Sequence, residues 1–73
     1  METLNLHGLN HEDAHREVER FVNDNWDAPA DSLKIITGHS PKMRKVATVV
    51  LDRYDVAYKI GGPLGIDDSY ILI

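Results

Sequence analysis

Two short runs in this 73-residue chain hold residue types that could work on a phosphate group. The first is His7-Gly8. The second is Thr37-Gly38-His39-Ser40, followed closely by Lys42, Arg44 and Lys45. An imidazole with an ordinary pKa of about 6.5 takes or gives a proton near neutral pH, so His7 and His39 are the candidates for acid–base chemistry. Lys42, Arg44 and Lys45 supply positive charge, and the amides of Gly38 to Ser40 could stabilise charge added to a phosphate. Glycine at 8 and 38 lets backbone approach a ligand closely. The plainer alternative is two turn glycines, a helix cap and a histidine bonded across strand ends. A third pattern, His11-Glu12-Asp13-Ala14-His15, matches H-E-x-x-H, whose histidines share a helix face and can bind zinc. Here Ala14 belongs to the apolar stripe, which turns His11 and His15 toward solvent. A domain this small also lacks the walls of a catalytic metal cleft, so no metal site is expected there.

The elements that must position these residues are legible in the hydrophobic pattern. Thr3 to His7 alternates as a strand, and Gly8 breaks it. Asn10 reads as a helix N-cap, with Glu12 and Asp13 complementing the positive end of the macrodipole. Ala14, Val18, Phe21, Val22 and Trp26 then lie on one helix face, and Pro29 falls beyond its end. Leu33 to Thr37 is a second strand. Ser40 is a good N-cap, and Pro41 suits the first helical position because its missing N–H would have had no partner. Met43, Val46, Ala47, Val50, Leu51 and Tyr54 form the stripe of a second helix. Val56 to Ile60 is a third strand, Gly61 to Asp68 a turn-rich connection, and Tyr70 to Ile73 a fourth strand.

The order β-α-β-α-β-β predicts a two-layer α/β sandwich. Strand–helix–strand units are right-handed and parallel, which makes the first three strands parallel and puts both helices on one face. The short last connection makes the fourth strand antiparallel. Its apolar run Tyr70-Ile71-Leu72-Ile73 suits a central position, giving a four-stranded mixed sheet in the order 1-2-4-3. Tyr58 and Tyr70 are expected to pair across adjacent strands. Ligands in open α/β sheets bind outside the carboxyl ends of parallel strands. Both glycine turns and both helix N-termini fall at that edge.

Composition bounds the rest. A chain of this length is one small domain, taken as residues 1–73, too small for a dinucleotide-binding fold, a barrel or a kinase. It has no cysteine, which excludes thiol nucleophiles and iron–sulfur clusters and points to a reducing, cytoplasmic setting. No run approaches the roughly 18 apolar residues of a membrane span, and the opening METLNLHG is no signal peptide. Net charge is −4, which by itself argues against a nucleic-acid coat protein. The charge is uneven, however. Residues 32–60 carry six bases and two acids, whereas residues 10–31 carry seven acids and two bases. No interleaved basic–aromatic run of the single-strand-binding kind is present.

These features resemble the small MutS-related, or Smr, domain. The family's strand ending in LDLHG stands here as Leu4-Asn5-Leu6-His7-Gly8, and its strand entering a TG turn as Ile35-Ile36-Thr37-Gly38. The late Gly61-Gly62 and the apolar C-terminal strand also agree. The resemblance implies a fold like the C-terminal domain of bacterial translation initiation factor three. It also implies binding of DNA or RNA, branched or structured, with nicking endonuclease activity in some members, and a stand-alone, minimal version of the domain. Nucleic-acid contacts would fall to Gly8, Thr37, Gly38, Ser40, Lys42, Arg44 and Lys45, and catalysis to His7 and His39. No cofactor is expected beyond a divalent metal if the chain is a nuclease. Two departures matter. Asn5 replaces the usual Asp, removing a carboxylate that could act as base or metal ligand. The turn Thr37-Gly38-His39-Ser40 is shorter than the family's TGxGxHS form. A non-catalytic protein-interaction module on the same scaffold is the alternative, and a small zinc hydrolase built on residues 11–15 a remote third. The domain is expected to be a monomer or a weak dimer joined at a strand edge.

Overall fold

A computed structural model describes residues 2–29, 32–61 and 69–73 of the chain. Its elements run β1 (Glu2–Asn5), α1 (His11–Asp24), β2 (Leu33–Ile36), α2 (Pro41–Arg53), β3 (Lys59–Ile60) and β4 (Tyr70–Leu72). The sheet order is β1-β2-β4-β3. β1 pairs parallel to β2, with Asn5 opposite Ile36. β4 runs antiparallel to both β2 and β3, so β1, β2 and β3 all point the same way. The topology read from the sequence is the one observed.

Strand alternation explains why the sheet has one dry face. Leu33, Ile35 and Ile71 are buried, whereas Lys34, Ile36, Tyr70 and Leu72 between them stay half-buried. The inward side chains of Leu6, Ile35 and Ile71 join Ala14, Val18 and Val22 of α1 and Met43, Ala47, Val50 and Leu51 of α2 in one cluster. Both helices therefore cover the same face and pack on each other. The core is small, and Leu6, Ile35, Leu51 and Ile71 are its largest fully buried members. Truncating any of them to alanine costs about 2–5 kcal/mol, comparable to the whole stability of a domain this size.

Both helix starts follow their sequence signals. The Asn10 side chain accepts the Asp13 N–H at 2.7 Å, and the Ser40 side chain accepts the Met43 N–H at 3.2 Å. Strand lengths differ from expectation in ways the hydrogen bonds explain. β1 ends at Asn5 rather than His7, because the Asn5 side chain accepts the His7 N–H at 2.9 Å and turns the chain. β3 begins at Lys59 rather than Val56 because the Val56 N–H is used to close α2, donating to the Leu51 carbonyl at 2.9 Å. The expected Tyr58–Tyr70 pair does not form. Tyr58 packs against the core on the helical side, whereas Tyr70 faces the open side with Lys34 Nζ 4.4 Å from its ring centroid. Tyr70 precedes the buried Ile71, and one residue of register moves a side chain to the other face. Most of the turn-rich connection read between Gly61 and Asp68, Gly62 included, lies outside the described residues.

Candidate nucleic-acid interface

The two glycine turns meet at one edge because β1 and β2 are parallel neighbours in register. The Leu6 N–H donates to the Ile36 carbonyl at 2.9 Å, extending the ladder one step past the strands. Adjacent strands lie about 4.8 Å apart, so His7 and Gly38 leave the sheet side by side.

The first turn is tight. The Leu9 N–H donates to the Leu6 carbonyl at 3.1 Å, placing His7 and Gly8 at its two central positions. Gly8 has φ of 87°, the left-handed value a type II turn requires at its third residue. A Cβ there would meet nothing within 4 Å, so backbone angle, not crowding, selects glycine. His7 is consequently held at the tip, exposed to solvent. No carboxylate belongs to this turn. In its place the Asn5 amide oxygen acts as the acceptor that fixes the His7 backbone.

The second turn is built differently. Gly38 has φ of 70° and again has open space where a Cβ would stand. Thr37 is buried, and its N–H donates to the Ser69 carbonyl at 2.8 Å. The Gly38 N–H donates to the same carbonyl at 2.9 Å. This corrects one expectation: the Gly38 amide is directed at the start of β4 and does not face outward toward a phosphate. Thr37 and Gly38 shape the turn. His39 and Ser40 then stand exposed beside it, and Ser40 is also the cap of α2.

The charges at the two helix starts have opposite sign. α1 carries Glu12 and Asp13 in its first turn, which offset its positive dipole end. α2 carries no acid in its first turn. Lys42 and Lys45 are exposed there, one helical turn apart, and Arg44 is half-buried between them. Bases at a helix N-terminus oppose the macrodipole by about 0.3–1 kcal/mol each. The positive charge of the edge is therefore concentrated on α2.

The H-E-x-x-H pattern is occupied locally. His15 Nδ1 lies 3.1 Å from Glu19 Oε1, and Glu12 Oε1 lies 3.7 Å from the Arg16 guanidinium. Among the described residues, no group of three or more His, Asp or Glu side chains is placed to hold a metal ion. Two features of the edge had no local sequence signal. The Asn5–His7 bond looks like any polar residue in a strand, and the Ser69 carbonyl comes from the far end of the chain.

The family model of the Smr domain matches residues 4–59, a span that includes both turns and both helices. No curated protein and no solved structure matches the chain.

Proposed function

This chain belongs to the Smr domain family, and from that premise we propose that it binds the phosphate backbone of DNA or RNA at the edge formed by the two glycine turns. The observation that carries this reading is the cationic start of α2, where Lys42, Arg44 and Lys45 add to the dipole instead of cancelling it. Exposed His7, His39 and Ser40 stand at the same edge. Gly8, Thr37 and Gly38 act by setting the shape of the two turns. A cytoplasmic setting fits the lack of cysteine.

Cleavage, on this reading, runs through His7. Its imidazole would take a proton from the attacking water, or from the ribose 2′-hydroxyl in RNA, or give one to the departing oxygen, with His39 as the second proton carrier. Lys42 would stabilise the added charge on the phosphate. Among the described residues, no group of three or more His, Asp or Glu side chains is placed to hold a divalent metal.

The test is an NMR titration with short duplex, branched DNA and structured RNA. Amide shifts are expected at Gly8 and from His39 to Lys45, with affinity falling about tenfold or more in the Lys42→Ala/Lys45→Ala variant. Undetectable binding at low salt sinks the proposal. In preparations free of contaminating nuclease, His7→Ala is expected to abolish nicking while leaving binding within about twofold.

A further inference from the structure

The opposite end of the sandwich carries a second surface that the phosphate-binding reading does not use. Helices run back along the strands they follow, so the ends of α1 and α2 meet the starts of β2 and β3, far from the glycine turns. A groove of about 630 Å³ opens there. Val22, Leu33, Val56 and Ile73 give it an apolar floor, and Trp26 and Tyr58 stand in its wall. Trp26 is the most exposed large hydrophobic residue described, at 62% of its full accessible area. An indole left open beside an apolar groove is a common anchor of protein recognition, because its large ring gains much from being covered.

The charge around this groove is mainly negative. Asp24 and Asp27 are exposed on either side of Trp26 and Asp55 lines the groove, three acids against two bases, Lys59 in the lining and Arg53 in the last turn of α2. α1 has no basic residue in its last turn, so the negative end of its dipole adds to the same field. An apolar slot with an acidic rim selects for an apolar side chain flanked by cations.

We propose that the groove at the Trp26 end of the sandwich is a docking site for a peptide segment of a protein partner in which a large apolar side chain lies between lysines and arginines. The site does not depend on nucleic-acid binding and is spatially separate from that edge. A domain using both would tether a basic protein segment to a phosphate backbone without competition between the two.

The probe is a short synthetic peptide with Leu-Phe between two Lys-Arg pairs, and its control carries Glu-Asp in place of each Lys-Arg. Trp26 is the only tryptophan, so its fluorescence reports on this groove alone. The cationic peptide is expected to shift Trp26 emission to the blue and to move the amides of Leu33 and Val56 at peptide concentrations up to about 1 mM. Its affinity is expected to drop at least fivefold in Trp26→Ala, followed by NMR, and about threefold in Asp27→Lys, an exposed change that leaves the core intact. The acidic control is expected to bind at least tenfold more weakly. Equal binding of the two peptides overturns the proposal. So do shifts confined to residues 42–45, or no shift at all at the highest concentration. Trp26 shifts that grow with protein concentration in the absence of peptide would assign the groove to a second copy of the chain instead.

Discussion

The Asn5 side chain accepts the His7 N–H at 2.9 Å, and a carboxylate in the same place could accept it equally well. Asn5→Asp is therefore expected to preserve the turn while adding an ionised group two residues from His7. If the missing acid limits cleavage, single-turnover nicking by Asn5→Asp rises at least tenfold at pH 7, with a Tm within about 2 °C of the parent. An unchanged rate would show that the carboxylate is not what this edge lacks. Tyr58 presents a different residue-scale test. Its hydroxyl titrates above the ordinary value of 10.0, first because burial disfavours the phenolate, then because the Asp52 carboxylate lies beside it. The folded protein thus holds this proton more tightly than the unfolded chain. The stabilisation is complete below about pH 10 and declines as pH rises from there through the folded-state value. Tyr58→Phe removes that contribution. The gap in urea midpoint between parent and variant is expected to be largest at pH 8–9 and to narrow by pH 11. A constant gap over that range would mean that Tyr58 contributes by packing alone.

At the scale of elements, the periodic stretches were readable and their ends were less so. Ala14, Val18 and Val22 of the first stripe and Met43, Ala47, Val50 and Leu51 of the second bury as their spacing requires, and Phe21, Val46 and Tyr54 half-bury, but Trp26 lies beyond the end of α1 and is exposed. The caps Asn10 and Ser40 were visible because a side chain and an N–H three residues on form a local bond. The end of α2 was hidden for a specific reason. The Asp55 N–H donates to the Asp52 carbonyl at 3.1 Å and the Val56 N–H to the Leu51 carbonyl at 2.9 Å, a Schellman motif. Its pivot needs a left-handed residue, normally glycine, and here Asp55 takes φ of 58°. With no glycine to mark the stop, Val56-Ala57-Tyr58 reads as the start of a strand that runs to Ile60. Likewise, the contact of Thr37 and Gly38 with Ser69 depends on tertiary pairing and leaves no periodic trace. The left-handed aspartate leads to a direct test. Asp55→Gly is expected to raise stability by about 0.5–1 kcal/mol, the relief of side-chain strain exceeding the added chain entropy. For a domain this size that is a rise in Tm of about 2–8 °C by calorimetry. A fall would mean that the Asp55 side chain makes a compensating contribution at the Trp26 end.

The whole molecule measures 30 × 28 × 20 Å, so its far ends lie more than three Debye lengths of about 8 Å apart at physiological salt. Its charge must therefore be judged by position as well as by sum. The net −4 first reads as a barrier to nucleic acid, yet the acids are concentrated in α1 and the following loop, while the bases cluster on and after β2. A polyanion approaching the start of α2 meets Lys42, Arg44 and Lys45 at contact range, with Glu12 and Asp13 at the neighbouring start of α1 opposing its approach. Such an interface has a small and countable number of phosphate contacts. Two or three neutralised phosphates give a slope of log K against log salt of about −2 to −3 on duplex DNA. The affinity is then expected to drop by about 16- to 60-fold between 50 and 200 mM salt. Lys42→Ala/Lys45→Ala is expected to flatten the slope to about −1, with Arg44 left as the remaining contact. Fluorescence anisotropy across that salt range distinguishes this picture from its rival. A parent slope shallower than about −1, unmoved by the double substitution, would mean that the backbone is not held at the start of α2. Steep salt dependence that survives the double substitution would place the contacts on other bases, such as Lys34 or Lys59 of the sheet.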